Sequence, residues 1–152
     1  APNPNANKRR AAYEAAMRRL GHEPMLLVAD GTGWAFEEIA HREAGRMIAQ
    51  RLLPTDTVLC SNDRLAIGFL AAAYEKGLRV GIGEGHALRV AGHDDHPFSR
   101  FTCPSLTTVS QNYDEIAGRS VERLLSLISS GERPEAKTST LFDASLVMWQ
   151  SA

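Results

Sequence analysis

His93-Asp94-Asp95-His96 reads first as a metal cluster. In an extended segment alternate side chains point opposite ways, so these four converge on one ion only through a sharp turn. Transition-metal sites need several convergent ligands, and no metal is assigned. Gly81-Ile82-Gly83-Glu84-Gly85 has the glycines of a dinucleotide loop. Such a loop follows a strand and opens a helix, whereas this one follows a helix and precedes a strand. It is a connection. There is no G-x-S-x-G elbow, no P-loop and no supported Cys–His pairing, and His22 and His41 stand alone. The sequence calls for no cofactor and no catalysis.

What remains is a set of polar residues at strand ends. Asn62 follows one predicted strand, Asp94 another, and Arg9 opens a helix whose own strand would lie upstream. Open α/β sheets bind ligands at their carboxyl edge, so these side chains are expected on one rim. A carboxylate, an amide and a guanidinium with aromatic neighbours suit a polyhydroxylated or otherwise polar small molecule. Each alone reads as a cap or turn residue; together they favour a binding site.

The elements that must position them centre on Thr57 to Gly77 (TVLCSNDRLAIGFLAAAYEKG). A short buried strand, Thr57 to Cys60, runs through Ser61-Asn62-Asp63 into a helix. Asn62 or Asp63 caps it, and Gly77 takes the left-handed stop. From Leu65 to Tyr74 that helix has no charge or amide. A helix lying on a sheet should show an apolar stripe rather than a cylinder, so a partner subunit is expected on its second face.

Elsewhere the pattern predicts a helix from Asn5 or Asn7 to Leu20, a buried strand Pro24–Ala29, a turn at Asp30-Gly31-Thr32-Gly33, and a helix from about Glu37 to Leu53 ended by Pro54. Ala87–Ala91 and Ser105–Gln111 read as strands. Asn112 caps a helix from Tyr113 to about Ser129 whose core face is Ile116, Val121, Leu124, Leu125 and Ile128. Gly131–Pro134 is a loop, and Thr138 to Gln150 closes with one strand or two, of which Ser145–Trp149 is the clearer. Alternation of this kind means an α/β fold with a mostly parallel sheet flanked by helices. Such chains open with a strand, so the initial helix and the absent Met lead to the expectation of a strand upstream.

The totals agree. The 152 residues make one domain, 43% hydrophobic and 23% charged. Seventeen basic and eighteen acidic side chains give a net charge of −1, without the basic excess of a module that grips phosphates. Cys60 and Cys103 are too few for a disulfide framework, and Cys60 reads as a small core residue. No apolar run reaches the ~18 residues of a membrane span.

Four segments, RRAAY (Arg9–Tyr13), CSNDRLAIGFLAAAYEKG (Cys60–Gly77), VAGHDD (Val90–Asp95) and PSLTTVSQ (Pro104–Gln111), make the chain resemble the effector-binding core of lactose-repressor-type (LacI/GalR) regulators. That core is similar in fold to type I periplasmic sugar-binding proteins, and the Pro-x-Leu-Thr-Thr-Val-x-Gln segment looks like the regulators more than their periplasmic cousins. The resemblance implies that residues 1–104 are most of a C-terminal lobe without its first strand, that 105–132 belong to an N-terminal lobe, and that 133–152 return to the first. It also implies a DNA-binding helix-turn-helix outside the chain. It further implies ligand contacts at Asn5, Arg9, Asn62, Asp94 and Tyr113, with Trp34 or Phe36 stacking on the ligand, and a dimer interface at Leu65, Phe69, Leu70 and Phe101. The implied function is a cytoplasmic, homodimeric transcriptional regulator that senses a sugar or related small polar ligand and acts on operator DNA through lobe closure; the alternative is an exported solute-binding protein. A longer loop at Gly81–His86, His93 in place of an aromatic and Ala12 in place of glycine are departures that bear on the effector's identity.

Overall fold

Helix α1, Pro4–Arg19, opens the structure, a computed structural model that describes residues 4–31, 33–131 and 139–152. Gly21, at φ +78°, ends its last turn. Four elements then build the core: α2 (Phe36–Ala49), β1 (Thr57–Leu59), α3 (Asp63–Glu75) and β2 (Arg89–Ala91). β1 and β2 are parallel, with Val58 opposite Val90. A parallel bridge from Ala91 to Thr107 continues the sheet to the segment leading into β3 (Thr108–Gln111). Helix α4 (Tyr113–Ser130) follows, and β4 (Ala144–Val147) pairs antiparallel with β3. The fold is in part helices on a short parallel sheet, with a separate antiparallel ribbon.

Asn62 is the cap of α3: its side-chain oxygen accepts from Leu65 N–H at 2.8 Å. Ala66, Phe69, Leu70 and Ala73 of α3 pack with Leu88, Val90, Leu106 and Cys60. Burial pushes the Cys60 thiol up to about 12, so it stays a neutral core side chain. At the chain's end Ser151 stitches β2 to the next segment. Its hydroxyl donates to Val90 C=O (2.6 Å) and accepts from Thr107 N–H (2.8 Å).

Most of the apolar cylinder of α3 is covered within the chain, while Tyr74 at its end is 80% exposed. One face lies on the sheet and the other on α2, which contributes Ala44 to the same core. Phe69 and Leu70, each 5% exposed, are already core residues within the single chain. Burying each contributes roughly 1.5–3 kcal/mol to the fold itself.

Three expectations are corrected. Pro24–Ala29 forms no strand, and Met25, Leu26, Leu27 and Val28 are exposed. A strand needs a neighbour for its backbone groups, and none pairs with this run; β1 too is paired on one edge only, among the described residues. The run is held instead by Tyr13, whose hydroxyl meets both Met25 backbone groups at 3.3 Å, and by Arg42, which donates to Asp30 C=O. Helix α2 ends at Ala49, ahead of Pro54, because Arg51 adopts φ +55° and Leu52 N–H turns back to Met47 C=O. Helix α4 has its Asn112 cap but buries no residue. Val121, Leu124, Leu125 and Ile128 are more than half exposed, since no described element covers that face. Of the expected turns and strands, Thr32, Glu132 to Pro134 and Thr138 lie outside the described residues.

Candidate ligand-binding rim

β1 and β2 run in the same direction, so the turns after them open on one edge of the sheet. Asn62 lies in the first turn and Asp94 in the second, and α1 brings Arg9 to both. Arg9 Nη2 donates to Asp94 Oδ1 at 2.5 Å, Nη1 to Asp94 Oδ2 at 3.3 Å, and Nη1 also to Ser61 C=O at 2.6 Å. The guanidinium thus joins the two strand ends across 85 residues of sequence.

Asp94 gathers the rest of the site. Its Oδ1 also accepts from Gln111 Nε2 at 2.8 Å and meets His93 Nδ1 at 3.1 Å. The Asp94 carbonyl accepts from the Tyr113 hydroxyl at 2.8 Å, and Asp94 N–H donates to Val109 C=O at 2.9 Å. Partial burial, and next the Asp94 charge, push the Tyr113 phenol above its usual range, so it remains a protonated donor. Among the described residues Oδ1 is crowded with donors while Oδ2 has only the longer Arg9 bond, so Oδ2 is the oxygen with capacity for an incoming hydroxyl. The carboxylate and guanidinium are each about a quarter to a third exposed, within reach of a ligand and partly shielded from water.

The aromatic pair stands beside the opening turn of α3. Trp34 meets Phe36 edge-on with ring centroids 5.7 Å apart, and the Arg64 guanidinium lies over Phe36 at 5.3 Å. Arg64 is itself fixed by a fork of two bonds to Glu37, 2.5 and 2.6 Å long. Phe36 is therefore a sandwiched, half-buried ring, while Trp34 is 75% exposed with a face to offer. Asn62 has spent its oxygen on the cap and has its NH2 for a ligand. Asn5 lies exposed one helical turn before Arg9.

Of the sequence-predicted residues, Arg9, Asp94 and Tyr113 are in direct contact, and Asn62 adjoins Ser61, which Arg9 touches. Gln111 and His93 complete the constellation. Gln111 was legible as a strand-end polar residue, by the same rule that picked out Asn62. Among the described residues no group of three or more His, Cys, Asp or Glu can hold a metal. His96 instead packs its ring against Phe98, 5.5 Å between centroids, and its N–H faces inward.

Paired guanidinium and carboxylate groups thus stand together on the rim of a parallel sheet. The chain belongs to the periplasmic binding protein-like domain family, whose profile matches residues 1–151. Within it the chain is similar to lactose-repressor-type transcriptional regulators. It is 38% identical over 105 residues to a probable HTH-type transcriptional repressor, ExuR, of Bacillus subtilis, covering 66% of this chain and 29% of that protein. A LacI family regulator from Arthrobacter sp. FB24, solved in complex with lactose, superposes with a TM-score of 0.75 at 29% identity, over 93% of this chain and 49% of that one. The Lac repressor dimer bound to operator and the anti-inducer ONPF superposes with a TM-score of 0.78 at 29% identity, over 97% and 48%. The chain thus spans about a third of the length of curated relatives and about half of the solved ones.

Proposed function

We propose that these residues sense a small polar effector, sugar-like in its hydroxyls, for a DNA-binding transcriptional regulator. The single observation behind this is the Arg9–Asp94 pair with Gln111 on the sheet rim. It provides a planar fork of donors beside a carboxylate acceptor, the set that recognises vicinal hydroxyls. Nothing in this arrangement activates a nucleophile or a water, so the domain works by binding. Residues 1–104 and 133–152 form one lobe, and 105–132 reach toward a second. The uncovered apolar face of α4 supports that division. Effector binding favours the closed arrangement of two lobes, and that shift controls operator binding by a separate domain. The regulator is a cytoplasmic homodimer. Its similarity to repressors favours this reading over an exported solute-binding protein. The described helices include none long and apolar enough to cross a membrane.

Titration calorimetry of the polypeptide that contains these residues, against lactose and a panel of other sugars and nucleosides, tests the proposal. Binding of one compound with release of operator DNA is expected. Binding that leaves operator affinity unchanged would overturn the regulatory half, and no binding across the panel would overturn the effector class.

A further inference from the structure

Asp63 is the one charged side chain in the described core, 1% exposed, and no ion pair joins it to a cation among the described residues. Its Oδ2 accepts from His96 N–H and from the Ser99 hydroxyl, both at 2.7 Å, and its Oδ1 from the Thr108 hydroxyl at 2.6 Å. Thr108 Oγ1 in turn accepts from Asp95 N–H at 3.3 Å, and Asp63 N–H donates to His93 C=O at 2.9 Å. Residues 93, 95 and 96 are therefore all held from beneath, on either side of Asp94. The turn they form is strained: Asp94 sits at φ +119° and Asp95 at +51°, where side chains are disfavoured. Such conformations persist only where the surroundings over-determine them. Gly92 belongs to the same device, because a Cβ there would lie 2.1 Å from Asp63 Oδ1.

A buried carboxylate paid in desolvation is a poor choice for stability alone, since neutral or apolar groups usually serve better. We infer that Asp63 is a positioning residue for the ligand site: its carboxylate fixes the 93–96 turn so that the Asp94 side chain faces outward to Arg9 and Gln111. That Asp94 meets an effector rests on the reading above; that Asp63 sets its geometry does not.

Asp63→Asn in this chain is the test. The amide fills the same space, and the Thr108 hydroxyl can turn round to accept from it, so folding is retained. What is lost is the charge that strengthens all three bonds. Amide exchange followed by NMR is expected to show Asp94 and His96 exchanging about tenfold faster, with Val90 and Ala72 unchanged. The paired guanidinium signal of Arg9, which touches Asp94 but not Asp63, is expected to broaden. Ser99→Ala and Thr108→Val, each removing one donor, should give smaller changes at the same residues, and they decide the matter if Asp63→Asn does not fold. Unchanged Asp94 exchange and Arg9 signal, or a uniform loss of protection across the core, would overturn the assignment. No ligand enters the measurement, so it stands apart from the effector proposal.

Discussion

Gly68 of α3 lies directly against the Glu37 carbonyl of α2: a Cβ on Gly68 would sit 2.1 Å from that oxygen. The two helices approach this closely because one of them lacks a side chain at the crossing. The first turn of α2, with Phe36 and Glu37, is thereby placed beside the first turn of α3, with Asn62 and Arg64.

Gly68→Ala sets two effects against each other. Alanine in a helix interior gains about 1 kcal/mol over glycine. The clash is with backbone, which cannot rotate away, and overpacking typically costs about 1–3 kcal/mol. The clash is expected to win, lowering the thermal midpoint by several degrees and separating α2 from α3. Differential scanning calorimetry checks it; a raised midpoint would show that the helices part without cost.

The readable parts of the sequence were those whose cause is local. Asn62 caps because a short polar side chain at a strand–helix turn has nearby N–H groups to meet. Arg9 and Asp94 followed from chain direction alone. Pro24–Ala29 and the α4 face failed for the opposite reason: an apolar run reports a preference for burial, not the neighbour that supplies it. On the α3 cylinder, periodicity cannot tell a covering helix from a covering subunit. Asp63 was read as a cap candidate, since its three donors come from residues 96, 99 and 108, which no spacing rule connects.

Acid stability has a traceable contributor in Glu37. The hydrogen bonds from Arg64 hold its carboxyl below the usual glutamate range. A carboxyl depressed in the fold contributes stability that is fully present above its unfolded value and is lost as pH falls through the folded one. The loss should therefore begin at about pH 5 and deepen below pH 4. Glu37→Gln is expected to flatten this limb in part, because Glu14, Glu43 and Asp56 are depressed too, through bonds from Arg10, Arg42 and Thr57. Urea midpoints at pH 7, 5 and 4 measure it. An identical pH slope in the variant would remove Glu37 from the account.

Leu70 and Phe101 should now behave differently. Leu70→Glu puts a carboxylate into the core and is expected to prevent folding. Phe101 is 67% exposed, with the Arg100 guanidinium over its ring at 4.6 Å, and Phe101→Glu should fold normally. If this surface contributes to the proposed dimer, sedimentation velocity will show the parent as a dimer and Phe101→Glu shifted to monomer. A parent that stays monomeric at all concentrations would end that assignment.

The Arg9–Asp94 pair offers the sharpest test of the rim. Asp94→Asn preserves shape but replaces one acceptor oxygen with a donor, and it places that amide among the donors Arg9 and Gln111. Arg9→Lys retains the charge, yet an ammonium is a point donor that cannot span Ser61 C=O and both Asp94 oxygens as the planar fork does. Charge-assisted hydrogen bonds are worth about 1.5–3 kcal/mol each, so losing one should weaken effector binding roughly ten- to hundredfold. Both side chains stand at the rim, outside the hydrophobic core, so the thermal midpoint should move little. Calorimetry on the two variants, with whichever compound of the panel binds the parent, reads the effect directly. A normal midpoint with weakened binding marks the pair as a ligand clamp; unchanged affinity in both variants would leave it a strut between α1 and the β2 turn.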